Sequence, residues 1–322
     1  MNKFKLKPPA EFTAPPKFSP ADETAMRFKF HFTPYPPTVR CVSFIVYIFV
    51  GRKATELNMK NMQKKRLALL GCGYLNEIVA NAMGEHLPEY ELVGAFGRDV
   101  QRTRAFAKRH NCKACFTIDE LMATKPDFTA EAASVQAMWE HSEAVLMGGS
   151  NLVVLSVGAF ADADFYEKTK KVAAECGQRV YIASGAVGGF DVLRTASLMS
   201  PIKASFTSKK SLPSLFYSPF NRNGQIMGVK EPTRVFTGTT KEAIELLPTH
   251  FNVAVATALA SAGPEGTIMN IDAVPGFRGD EYKIEIEGEE VRAEFNIYSS
   301  TCNVAAWSVV NVLKNAVSPI VF

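Results

Sequence analysis

Gly71-Cys72-Gly73-Tyr74-Leu75-Asn76 stands between a short apolar run, Arg66–Leu70 (RLALL), and a helical stretch, Glu77–His86. A glycine turn in that position lets the backbone fold tightly and approach a pyrophosphate at the N-terminus of the following helix. Gly71, Gly73 and Leu75 are therefore expected to line a dinucleotide. The plainer alternative is an ordinary strand-to-helix turn, because G-x-G alone is a weak signal. The third small position of the fingerprint is Asn76 rather than Gly or Ala, which predicts looser packing of helix on strand.

Working outward, Glu91–Phe96 (ELVGAF) reads as a second strand and Val100–His110 as a second helix. Phe128–Ala133, Asn151–Val157 and Arg179–Ala183 read as further strands, with helical stretches at Gln136–Met147 and Phe165–Cys176. Strands and helices alternating at this spacing predict βαβ units and a parallel sheet. After Asp191 the pattern changes. Ala204–Ser208, Thr233–Gly238 and Tyr282–Glu287 read as strands, and His250–Ala262 as one apolar helix. Over Asp280–Gly288, Tyr282, Ile284 and Ile286 alternate with Glu281, Lys283, Glu285 and Glu287, the signature of a half-buried antiparallel strand. Asn303–Ala316 reads as a closing helix. The expected fold is α/β. A Rossmann-type dinucleotide-binding domain over 65–190 precedes an α+β domain with a mixed or antiparallel sheet over 191–302, and 303–322 closes the chain.

The tip of the second strand bears on cofactor choice. An acid for the ribose 2′-hydroxyl stands roughly 20 residues beyond the glycine loop in this kind of domain. Here the tip is Phe96-Gly97-Arg98-Asp99, with glycine at that place. Arg98 would pair with a 2′-phosphate in fork geometry, which favours NADP over NAD. In the rival reading Asp99 takes the acid's role and Arg98 is a solvated surface residue.

The composition limits the remaining possibilities. The chain has 322 residues, about two domains' worth, and is 47% hydrophobic, enough apolar mass for a core. Six cysteines are too few for a disulfide scaffold, so a reducing, cytoplasmic setting is expected. The lone pair Cys112–Cys115 lacks the second ligand pair of a structural zinc site, so no metal is expected. Through Gln63 there are ten Lys/Arg against four Asp/Glu, whereas the rest carries 26 against 28. The basic excess thus belongs to an N-terminal extension, 1–64, and nucleic-acid binding is dropped. The extension also holds eight of the 18 prolines and eight of the 23 phenylalanines. It reads as a poorly ordered tail, or as sequence upstream of a start at Met59 or Met62; a targeting segment is the rival. Its apolar run Cys41–Val50 has ten residues, short of the roughly 20 a membrane span needs, so no membrane partner is expected.

From Lys65 onward the chain resembles the L-aspartate dehydrogenase family. The resemblance is carried by Glu131-Ala132-Ala133-Ser134, Leu155-Ser156-Val157-Gly158-Ala159 and, most specifically, Ser184-Gly185-Ala186-Val187-Gly188-Gly189-Phe190-Asp191. Pro248-Thr249-His250-Phe251-Asn252-Val253-Ala254 and Ile284-Glu285-Ile286-Glu287-Gly288 add to it. It implies NAD(P)-dependent oxidative deamination of L-aspartate to iminoaspartate, then oxaloacetate and ammonia, by a homo-oligomer acting on a small dicarboxylic amino acid. In that family the iminoaspartate can feed NAD biosynthesis. By motif, Ala186 and Asn252 would contact the cofactor, and Lys209 and Lys210 would lie near the family's cationic segment. Carboxylates cannot be desolvated unpaired, so such charges have a use; solvated loop lysines are the alternative. The family's catalytic histidine position, counted back from Gly288, holds Tyr282. A phenol titrates near 10, so Tyr282 is a poor base, and either donates a proton or merely fills space. That departure keeps two other functions open: a dinucleotide-binding sensor or scaffold without turnover, and a reductase of another small carbonyl or imine.

Overall fold

The computed structural model describes residues 63–221, 224, 226, 228–247 and 251–322. The readings made of the N-terminal extension and of Pro248, Thr249 and His250 lie outside those residues. The first domain is a six-stranded sheet of β1 (Lys65–Leu70), β2 (Tyr90–Phe96), β3 (Lys113–Cys115), β4 (Phe128–Glu131), β5 (Asn151–Val154) and β6 (Val180–Ile182). Their order is β3-β2-β1-β4-β5-β6 and every pairing is parallel. Helices α1 (Tyr74–Asn81), α2 (Val100–Arg109), α3 (Ile118–Met122), α4 (Val135–Met147) and α5 (Ala163–Glu175) connect the strands. Such a sheet is covered on both faces, which is why its strands are continuous apolar runs. Leu67, Ala68 and Leu69 are wholly buried although consecutive, and burying each leucine is worth about 1.5–3 kcal/mol. The chain order reverses between β1 and β4, and ligands bind outside the carboxyl ends of the strands at such a switch point.

After α6 (Phe190–Met199) comes a five-stranded mixed sheet of β7 (Lys203–Ser211), β8 (Thr233–Thr239), β9 (Thr267–Val274), β10 (Asp280–Glu287) and β11 (Arg292–Ser299), in the order β11-β10-β7-β9-β8. Only β7 and β9 run parallel; the other pairings are antiparallel. Strands β9 and β11 escape the reading of the sequence. In β9 the buried side chains include Thr267 and Ala273, while Ile268 faces outward, so its polarity does not alternate cleanly. In β11, at the sheet edge, Ala293, Phe295 and Ile297 are only half-buried.

Helices α7 (Thr240–Leu246) and α8 (Asn252–Ala260) follow β8. Helix α8 is apolar all round because both sides are covered. Val255 and Ala256 pack with Val157 and Phe160 of the first domain, and Ala254 and Ala260 with the second sheet. The closing helix α9 (Asn303–Val317) returns to the first domain. Ala306, Val309, Val310 and Leu313 join the core around β1, β2 and β4, and the Tyr90 hydroxyl donates to the Leu313 carbonyl at 2.7 Å. Among the described residues no helix is long and apolar enough to cross a membrane.

Candidate active site at the switch point

The glycine turn is built as its composition demands. Gly71 has φ +106°, and a Cβ there would lie 2.9 Å from the Ala132 carbonyl oxygen, so both conformation and space require glycine. A Cβ on Gly73 would meet nothing within 4 Å. That open side is where a pyrophosphate fits, at the start of α1, whose first N–H groups no side chain caps. Asn76 is wholly buried and donates through Nδ2 to the carbonyls of Leu70 (3.0 Å) and Gly71 (2.8 Å). The amide thus fastens the turn with two hydrogen bonds where the fingerprint has a small residue. Leu75 is partly buried and packs against the core.

Across the switch point lies Glu131, part of a family motif but given no role in the site by the sequence reading. It is 0% exposed at the end of β4. Its carboxylate accepts from Ala133 N (2.7 Å), Ser134 N (3.0 Å), Ser156 N (2.9 Å) and Ser156 Oγ (2.8 Å), which ties the loop after β4 to the loop after β5. Burial raises its pKa and these four donors oppose the rise. A lone acid inside the apolar run FTAEAA was the available signal. Nearby, Asn252 Oδ1 accepts from Gly158 N at 2.8 Å, so the N-terminus of α8 is bound to the same mouth.

The Ser184–Gly189 loop joins the two sheets. Gly185 N donates to Ser308 Oγ at 3.0 Å, and a Cβ on Gly185 would stand 3.2 Å from Val253 Cγ1. Gly189 has φ +78° and lies against the Phe295 ring of β11, which a Cβ would approach to 2.6 Å. Ala186 and Val187 are buried in the same apolar cluster as Phe206, Phe251 and Tyr282. The inner face of the second sheet thus meets the loop that follows β6.

On that inner face four polar side chains gather. Ser208 is opposite Tyr282 in the β7–β10 register. The Tyr282 ring, 6% exposed, stacks on Phe206 with centroids 5.4 Å apart, and its hydroxyl donates to Asp280 Oδ1 at 3.1 Å. Lys210 Nζ lies 3.8 Å from Asp280 Oδ1 and 5.7 Å from the Tyr282 ring centroid. Burial, with Asp280 beside it, pushes the Tyr282 pKa above that of a free phenol, so the hydroxyl keeps its proton. Ser208 Oγ is buried without a hydrogen-bond partner among the described residues.

The comparisons with known proteins agree with this architecture. Residues 191–316 match the family model "Aspartate dehydrogenase, C-terminal", and residues 71–183 match "Homoserine dehydrogenase, NAD binding domain". An L-aspartate dehydrogenase of Methanococcus maripaludis is 28% identical over 263 residues, which are 79% of this chain and 98% of the relative. One of Archaeoglobus fulgidus is 33% identical over 205 residues, 62% of this chain and 79% of the relative. The chain belongs to the L-aspartate dehydrogenase family. The solved aspartate dehydrogenase of Thermotoga maritima shares the fold, with a TM-score of 0.63 at 24% identity over 81% of this chain and all of that one.

The cofactor of this L-aspartate dehydrogenase family member is NAD or NADP. At the tip of β2 a Cβ on Gly97 would stand 3.1 Å from Thr103 Oγ1 and 3.3 Å from Cys72 Sγ, a tight fit at the place of the ribose-binding acid. Asp99 instead caps α2, accepting from Arg102 N at 2.9 Å, while Arg98 is exposed. The two lysines of the cationic segment part company. Lys210 is on the inner face with Tyr282, whereas Lys209 points to the opposite face and pairs with Glu281 at 2.5 Å. Neighbours on a strand alternate faces, so the two lysines cannot both line one site on this sheet. Cys72, Cys112 and Cys115 are free thiols, and no metal-binding cluster occurs among the described residues.

Proposed function

We propose that this protein oxidatively deaminates L-aspartate to iminoaspartate, which hydrolyses to oxaloacetate and ammonia, with NADP preferred to NAD. One observation carries the reading: Lys210 and Tyr282 lie on the single sheet face that packs against the Ser184–Gly189 loop, which follows the last strand of the dinucleotide-binding sheet. Family membership supplies the substrate class.

The nicotinamide, when bound, accepts hydride from the substrate Cα. The chain's own residues bind and orient. Gly71, Gly73 and the Leu75 backbone cradle the pyrophosphate, and Arg98 pairs with the 2′-phosphate. Ala186 and Asn252 bound the nicotinamide end, with Glu131 holding the loops beneath it. Of the two lysines only Lys210 contacts the substrate. Tyr282 occupies the family's histidine position with a hydroxyl that donates a hydrogen bond and does not take up a proton. Absorbance of the reduced cofactor, followed with the full chain, aspartate and each nicotinamide cofactor in turn, tests the reading. Aspartate-dependent reduction, faster with NADP, is expected. Cofactor binding without turnover would leave a dinucleotide-binding protein that is no enzyme, and turnover of a different amine or carbonyl would move the substrate.

A further inference from the structure

The family's base position holds a phenol that keeps its proton, yet deamination needs a group that takes up and returns one. Three titratable side chains face the site from the second sheet among the described residues: Lys210 on β7, and Asp280 and Tyr282 on β10. The β9 neighbour in register with Lys210 is Ala273, and Lys209, Glu281 and Asp272 project from the opposite face. The Lys210 side chain is 24% exposed, with Asp280 at 3.8 Å and the Tyr282 ring below it. The Ser208 hydroxyl on the same face is buried and has no hydrogen-bond partner among the described residues.

We propose that Lys210 is the proton-transfer group of this site and that Asp280, itself held by the Tyr282 hydroxyl, is its positioning residue. The proposal rests on the aspartate reading and deepens it, by placing the contact of Lys210 at the reacting centre. Neutral Lys210 first takes a proton from the substrate ammonium and passes it to solvent, and loss of hydride from the resulting neutral amine to the oxidised nicotinamide leaves an iminium. Water adds to its carbon: the C–O bond forms, the C=N π pair moves to nitrogen, and the water's proton passes to neutral Lys210 Nζ. Lys210 then gives that proton to the nitrogen. Finally it takes the hydroxyl proton as the C=O bond forms and the C–N bond breaks, its pair leaving on ammonia. Burial lowers the Lys210 pKa below that of a free ammonium and Asp280 partly restores it, so the neutral base is more accessible here than on an exposed lysine.

The test uses the full chain and first measures parent turnover with aspartate and NADP or NAD. Lys210→Arg keeps the charge and cannot act as a base, so turnover should fall by about 10²–10⁴-fold. In the parent, kcat should rise with pH through the Lys210 ionisation and then level; in Lys210→Arg that rise should vanish. Lys210→Ala should recover turnover on addition of small primary amines, in proportion to the neutral amine present, and binding of reduced cofactor shows whether each variant is folded. The idea is overturned if Lys210→Arg keeps a tenth or more of parent turnover with an unaltered pH profile. It is equally overturned if a folded, cofactor-binding Lys210→Ala gains nothing from amines. A parent chain inert toward aspartate removes the substrate reading and this proposal with it, whereas an active parent with an active Lys210→Arg removes this proposal alone.

Discussion

The arginine at the tip of the second strand and the aspartate beside it have separable jobs. Asp99 is spent on the N-terminus of α2, where its side chain accepts from Arg102 N. Asp99→Ala should therefore cost about 0.5–2 kcal/mol of stability. Melting curves should show that loss while the NADP-to-NAD preference stays put. Arg98→Ala should do the reverse, weakening NADP by about 1.5–3 kcal/mol for a lost charge-assisted bond and NAD hardly at all. Equal losses for both cofactors by fluorescence titration would remove the 2′-phosphate assignment. Tyr282 is the other residue whose role is set by neighbours. Tyr282→Phe deletes the hydroxyl that steadies Asp280, and turnover should fall at least ten-fold with cofactor affinity intact. Tyr282→His puts an imidazole on the same face and should raise aspartate turnover near neutral pH, where imidazole takes up a proton. A phenylalanine variant as fast as the parent would reduce Tyr282 to a packing residue.

At the scale of elements, the β1–turn–α1 unit is held by an asparagine where the fingerprint has a small residue. Asn76→Ala removes both Nδ2 bonds to the carbonyls of Leu70 and Gly71. Each is worth about 1 kcal/mol net, and the two carbonyls lose their shared side-chain donor. We expect a lower melting midpoint together with weaker binding of both cofactors, since the turn that cradles the pyrophosphate is released. A drop in midpoint with unchanged cofactor Kd would show that Asn76 only packs. The second sheet shows the same dependence on register. Lys209 and Lys210 are adjacent, yet one row of β7 carries Lys209 among Glu281 and Asp272, and the other puts Lys210 beside Asp280 and Tyr282.

At the scale of the whole molecule, the junction of the two domains is closed by the Gly189–Phe295 contact, the Gly158–Asn252 bond and the buried helix α8. Gly189→Ala puts a Cβ 2.6 Å from Phe295 Cε1 at a backbone φ of +78°. Strain of this kind is typically about 1–3 kcal/mol, and it falls where the second sheet meets the loop. The expected outcome is a sharp loss of turnover with the cofactor Kd little changed, because the pyrophosphate cradle lies elsewhere. An unchanged kcat would mean that this junction does not position the site. Most of the nucleotide-binding half was legible in the residues alone because parallel strands buried on both faces are continuous apolar runs and the turn chemistry is local; the short edge strand β3 and helix α3 were not. The inward row of β10, with Tyr282 on it, was legible for a similar reason, since period-two alternation survives wherever one face is wet. Strand β9, the partners of the Glu131 carboxylate and the extension of β7 that parts Lys209 from Lys210 were not, and β11 was missed although Arg292–Ile297 alternates polar and apolar. Whether a strand lies at an edge, what a buried acid finds to accept from, and which side of a sheet meets the neighbouring domain are all settled by contacts between segments distant in the chain, and local sequence carries no record of those.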